Sequence, residues 1–66
     1  MLRPGDSIYR ITWKGKGDTQ VVNGRDIAEA CNNAGIGGGA AGAIDFWRPV
    51  LKKDLTKEEL QELEEG

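Results

Sequence analysis

No histidine occurs in this chain of 66 residues, and Cys31 is its one cysteine. Together these absences exclude most of the chemistry small proteins use. A structural zinc site needs four Cys or His ligands, and one cysteine without histidine cannot supply them. Nucleophilic catalysis by Cys31 would need a neighbouring base or cation to ionise the thiol, and histidine is not available for that role. One cysteine also forms no internal disulfide, so a reducing, cytoplasmic setting is the expected default. Aromatic residues are few: Tyr9, Trp13, Phe46 and Trp47. No apolar run approaches the roughly 18 residues of a membrane helix, and the N-terminus has no apolar stretch with a cleavage site.

What remains is a single small domain, 38% hydrophobic and 30% charged. A chain this short buries about 60% of the surface its unfolded form exposes. It has little volume for an enclosed pocket beside its core, so an exposed working surface is expected. Carboxylate catalysis by Asp26, Glu29 or Asp45 would need two acids in differently tuned environments within a cleft. Solvated surface carboxylates are the simpler reading, and an enzyme is not expected. No cofactor is implied.

The formal charge of −2 conceals an asymmetry. Residues 1–53 carry eight Lys or Arg against five Asp or Glu, whereas residues 54–66 carry one lysine against six acids. The body is mildly basic and the tail strongly acidic.

Pro4-Gly5 marks a turn, and 1–6 reads as a loose lead-in. Ser7–Trp13 alternates Tyr9, Ile11 and Trp13 with Ile8, Arg10 and Thr12, the pattern of a strand with one apolar and one mixed face. Lys14–Asp18 reads as a charged hairpin tip and Thr19–Val22 as the returning strand. Arg25–Ala34 then places Ile27, Ala30, Cys31 and Ala34 on one helical stripe. Asn23 or Gly24 can cap that helix, and Gly35 can take the positive φ that ends it. Gly35–Gly42, with five glycines in eight residues, argues against regular structure.

Gly37–Gly42 matches the spacing of a dinucleotide-binding loop. It follows a helix where that chemistry needs a strand, and no room remains for a βαβ unit. A flexible connector is the better reading. Ala43–Val50 suits a third strand with Ile44 and Phe46 inward, Asp45 and Trp47 outward, and Pro49 as its stop. Ala40–Trp47 could instead form a short helix; the helix's need for a sheet to cover favours the strand. Trp47, beside Arg48, could be an interface anchor, or it could cover core beneath Leu60 and Leu63. Finally, Thr56 and Glu59 form a capping box, with Leu55 and Leu60 as its staple. Leu60 and Leu63 are the later anchors of this helix, whose packing should be thin and whose last turn should fray.

The expected fold is therefore α+β: an antiparallel sheet of two to three strands covered by one amphipathic helix, with a short acidic helix over 54–66. Two surfaces carry functional expectations. Asp54, Glu58, Glu62 and Glu65 recur at about one-turn spacing and could occupy a basic groove on a protein partner. Arg10, Trp13, Lys14, Lys16 and Arg25 could alternatively track phosphates and stack on bases, although an excess of three charges is modest for that purpose. A subunit of a larger assembly, docking through Trp47, is a third option, and the chain itself is expected to be a monomer or a small homo-oligomer.

The succession of Ile8–Trp13, Thr19–Val22, Arg25–Ala34 and Ile44–Val50, with the acidic tail Leu55–Glu65, resembles the compact accessory proteins of phages and mobile elements, anti-CRISPR proteins among them. That group shares no common signature, so no functional residue carries over from it. The resemblance implies an inhibitor of a nucleic-acid-handling complex, one that presents carboxylates where DNA phosphates would lie.

Overall fold

The computed structural model describes residues 3–65. Strands β1 (Ser7–Trp13), β2 (Thr19–Gly24) and β3 (Ile44–Val50) form one antiparallel sheet in the order β2-β1-β3. Helices α1 (Ile27–Asn33) and α2 (Gly38–Ala41) lie between β2 and β3, and a 3-10 turn (Lys52–Asp54) leads into α3 (Lys57–Glu65). The α+β fold expected from the sequence is the one observed.

Side-chain alternation on β1 divides the interior in two. Ile11 on one face joins Val22, Ala30 and Cys31 beneath α1, with Tyr9, Trp13, Ile27, Ile36 and Ile44 packed around them. Ile8 on the other face joins Val21 and Leu63, flanked by Val50 and Leu55. Helix α3 thus covers the face opposite α1. Its packing is not thin: Leu63, in the turn expected to fray, is only 3% exposed. Burying a leucine side chain contributes about 2 kcal/mol.

The polar tie of α3 comes from Arg10, centred on the α3 face of β1. Its Nε and Nη2 donate to Glu59 Oε2 and Oε1 at 2.9 and 2.7 Å. Glu59 Oε1 also accepts the Thr56 N–H at 3.1 Å, while Thr56 Oγ1 accepts the Glu59 N–H at 3.1 Å. The expected capping box is therefore present, and its carboxylate also serves as the anchor to the sheet. The hydrogen bonds from Arg10 outweigh desolvation and hold the Glu59 carboxyl below its ordinary range, with further help from Thr56 and the guanidinium charge. The same pairing raises Arg10.

Several local expectations are corrected. Helix α1 is shorter than Arg25–Ala34, and its cap is Asp26, whose Oδ1 accepts the Glu29 N–H at 2.8 Å. Asn23 is a buried strand residue whose Nδ2 donates to Asp6 Oδ2 at 2.8 Å. Gly24 ends β2 directly beneath α1, where a Cβ would stand 2.5 Å from the Ala30 backbone nitrogen. The expected end of α1 holds: Gly35 adopts φ +77°, and the Ile36 N–H donates to Cys31 C=O at 2.8 Å. That bond and the one from the Gly35 N–H to Asn32 C=O (3.1 Å) form a Schellman motif, which seats Ile36 on the core.

The glycine run is not wholly irregular, since Gly38–Ala41 completes one helical turn in which the Ala41 N–H donates to Gly37 C=O at 2.8 Å. Of the 1–6 lead-in, Met1 and Leu2 lie outside the described residues, and the remainder is tied down. Arg3 Nη2 donates to Glu29 Oε1 at 2.9 Å and its Nε to Asp6 Oδ2 at 3.3 Å. Burial opposes ionisation of Asp6, but the bonds from Asn23 and Arg3 prevail and lower its pKa.

Gly24→Ala should cost about 2 kcal/mol or more, because backbone rather than a flexible side chain must move aside. Gly39→Ala, which meets nothing within 4 Å, should be neutral or stabilising by about 0.5 kcal/mol. Urea denaturation of both variants checks this, and equal effects would refute the close-approach argument. Glu59 supplies a second test. Its folded pKa lies below the unfolded 4.5, so its stabilisation is present above that value and is lost as pH falls through the folded pKa. Glu59→Gln should lose about 1–2 kcal/mol at pH 7, and its deficit against the parent should close as the parent Glu59 is protonated. A deficit independent of pH would show that the charge contributes nothing.

Candidate protein-interaction surface

Strand β3 and the residue that follows it carry the exposed large apolar side chains of the described residues. Phe46 is 54% exposed and Trp47 44%, and Leu51 follows at 60%. The cause is a register shift between Thr12 and Trp13. Trp13 pairs with Ile44 and Thr12 with Phe46, which leaves Asp45 as an extra residue. Such a bulge re-phases the strand. Ile44 and Trp47 therefore share the α1 face, while Phe46 and Arg48 take the α3 face.

Phe46 is consequently not inward, as the unbroken alternation predicted. Trp47 does not cover Leu60 and Leu63, which belong to the opposite side. It meets Tyr9 edge-on, with ring centroids 5.4 Å apart at 84°. Adjacent aromatics on a strand must point to opposite faces. That rule was available in the sequence and already required one of Phe46 and Trp47 to leave any single core.

Helix α1 lies chiefly over β2, so the α1 side of β3 is left uncovered. There a groove of about 710 Å³ opens between α1, the glycine turn and β3. Ile27, Cys31, Ile36, Ala41, Ile44 and Trp47 line it, and Asp45 is its one charged residue among those described. Apolar walls with a single acid at the rim suit an apolar anchor from another molecule. Burial raises the Cys31 thiol, and no group of His, Cys, Asp and Glu among the described residues could hold a metal ion.

The acidic row is interrupted. Asp54 lies in the 3-10 turn beside Lys52 and Lys53, and its C=O accepts from Arg10 Nη2 at 3.4 Å. Glu58 and Glu62 are exposed one turn apart on α3, whereas Glu59 is turned to the sheet. The side chain of Glu65 lies outside the described residues. No basic residue occupies the last turn of α3, so its acids oppose the helix dipole.

The alternative basic set is dispersed. Arg10 is engaged by Glu59, and Trp13 is packed against the α1 core. Lys14 and Lys16 are exposed at the hairpin tip, whereas Arg25 follows the far end of β2. Six strand residues separate the two ends, roughly 17–20 Å. These side chains do not form one phosphate-tracking surface. Among the described residues, no helix is long and apolar enough to cross a membrane. Comparison with family models, with curated proteins and with solved structures gives no significant match.

Proposed function

We propose that this chain is a non-enzymatic protein-binding domain, an inhibitor or accessory protein, that engages its partner through β3. The observation behind this reading is the exposure of Phe46 and Trp47 on opposite faces of one strand, with an apolar groove beside Trp47. Large aromatics left in solvent by so small a protein cost hydrophobic stabilisation that a partner restores. Trp and Arg are also the side chains most enriched at interface hot spots, and Trp47 is followed by Arg48. The architectural resemblance to phage accessory proteins suggests a nucleic-acid-handling complex as the partner.

A second reading keeps the acidic helix as the contact, with carboxylates standing where phosphates would. It is supported by the unneutralised last turn of α3 and by the exposure of Glu58 and Glu62. Acids at a helix C-terminus cost about 0.3–1 kcal/mol each, a cost that binding to a basic groove would offset. In this reading the partner is again a protein, and direct nucleic-acid binding is disfavoured by the dispersal of the basic residues.

Affinity capture from host lysate followed by titration of the captured complex separates the two. If β3 is the contact, Phe46→Ser and Trp47→Ala each weaken binding about thirtyfold, the scale of a hot spot near 2 kcal/mol, with little dependence on salt. Undiminished binding by both variants would refute the β3 assignment. If α3 is the contact, Glu58→Lys with Glu62→Lys weakens binding, raising salt does the same, and the melting temperature is unchanged. Normal binding by that double variant would eliminate the acidic reading.

A further inference from the structure

Hydrogen-bond phase determines which backbone groups face outward at the two edges of the sheet. The Trp13 N–H donates to Asp18 C=O at 2.8 Å. In the β1–β2 register, Ile11 with Gln20 and Tyr9 with Val22 are then the pairs that exchange hydrogen bonds. Thr19, Val21 and Asn23 turn their backbone groups away from β1. Asn33 Nδ2, which donates to Asn23 C=O at 3.2 Å from α1, agrees with this phase. On the other side the Lys14 N–H donates to Ala43 C=O at 2.8 Å. The even residues of β1 therefore serve β3, and Pro49, opposite Tyr9, faces outward.

The two edges are thus unequally protected. On β3 a residue without an N–H occupies an outward position, and the bulge at Asp45 interrupts the ladder; both features blunt an edge. Strand β2, of sequence TQVVNG, contains no proline, no charge and no bulge. Val21 is 3% exposed, and its outward N–H and C=O have no hydrogen-bond partner among the described residues. Buried backbone groups are almost always paired.

Beside β2 a groove of about 500 Å³ runs between the two helices. Val21 and Val22 form its floor, Ala30 and Ala34 one wall, and Glu62 and Leu63 the other.

We propose that the β2 edge takes up an extended peptide segment of a protein partner as a fourth strand, with a lysine or arginine on the side facing α3. The outward groups of Thr19 and Val21 supply the main-chain bonds of strand addition. Ala30 and Ala34 leave room for an aliphatic side chain against α1. Glu62 is exposed and makes no ion pair with another described residue, so it complements a base. Helices flank this edge on both faces, which admits a lone strand but obstructs a second copy carrying the same helices. This surface is separate from β3 and does not depend on the β3 reading; it shares Glu62 with the acidic-helix reading, from which Thr19 and Val21 distinguish it.

A displayed library of random octapeptides, panned against the full chain, tests the proposal. Enriched sequences should alternate β-branched residues with Lys or Arg, and their synthetic peptides should shift the amide resonances of Thr19 and Val21. Thr19→Pro removes an outward N–H as Pro49 does on the other edge, and should weaken binding about tenfold, one hydrogen bond's worth. Glu62→Lys, at an exposed position, should weaken the same peptides independently. The proposal is overturned if nothing is enriched, or if peptides bind both variants as they bind the parent. It is equally overturned if the shifts fall on Trp47, or if the free protein dimerises through β2.

Discussion

Arg10 and Glu59 stand 49 residues apart in sequence and meet through two charge-assisted hydrogen bonds of 2.9 and 2.7 Å. This contact fixes where the last helix lies and which face of the sheet becomes a second core. It is effective because Glu59 is already held: the capping box fixes its backbone and aims its carboxylate before Arg10 arrives. A preordered acceptor loses less entropy on pairing. With both side chains mostly shielded, at 21% and 15% exposure, the pair is less screened than an exposed salt bridge. Leu63 then closes over Ile8 and Val21, and a sheet otherwise covered on one side becomes the middle layer of three.

The same contact reshapes both surfaces suggested by charge. It withdraws the central cation from the basic hairpin and the central anion from the acidic helix. Net charge counted along the chain cannot register this, because each residue appears in its own segment's total while the pair cancels across segments. What remains exposed is a short acidic face at Glu58 and Glu62 and a small basic tip at Lys14 and Lys16. Neither matches the apolar exposure of β3 as a source of binding energy.

Elements governed by local rules were legible in the sequence. Alternation placed β1, the capping box placed the start of α3, and the glycine after α1 marked its end. The third strand was legible too, from the demand that α1 have a sheet to cover. Longer-range features were not. Asp45 enters as an extra residue only because β1 dictates the register, so the inward assignment of Phe46 followed the right period with the wrong phase. Ile8 and Arg10 read only as part of a mixed face, and nothing local to β1 showed that α3 covers it. The tail looked thinly anchored because its anchor, Glu59, is a charged residue that apolar counting passes over. Arg3 and Asp6 read as a loose lead-in because their partners, Glu29 and Asn23, lie in later elements.

A sheet of three strands has two edges and one interior strand, so one side of each edge strand faces outward unless something intervenes. Here the chain treats the edges differently. Pro49 and the Asp45 bulge discourage strand addition on β3 while leaving its aromatics on display, which favours recognition by side chains. Strand β2 does the reverse: Val21, Val22 and Asn23 are buried, and alternate backbone groups are turned outward between two helices. This division leaves the domain two outer edges of different chemistry, one displaying aromatic side chains and the other backbone groups. The Arg10–Glu59 pair connects them, since placing α3 over β2 both walls the groove there and leaves Phe46 and Arg48 on the α3 face of β3 exposed.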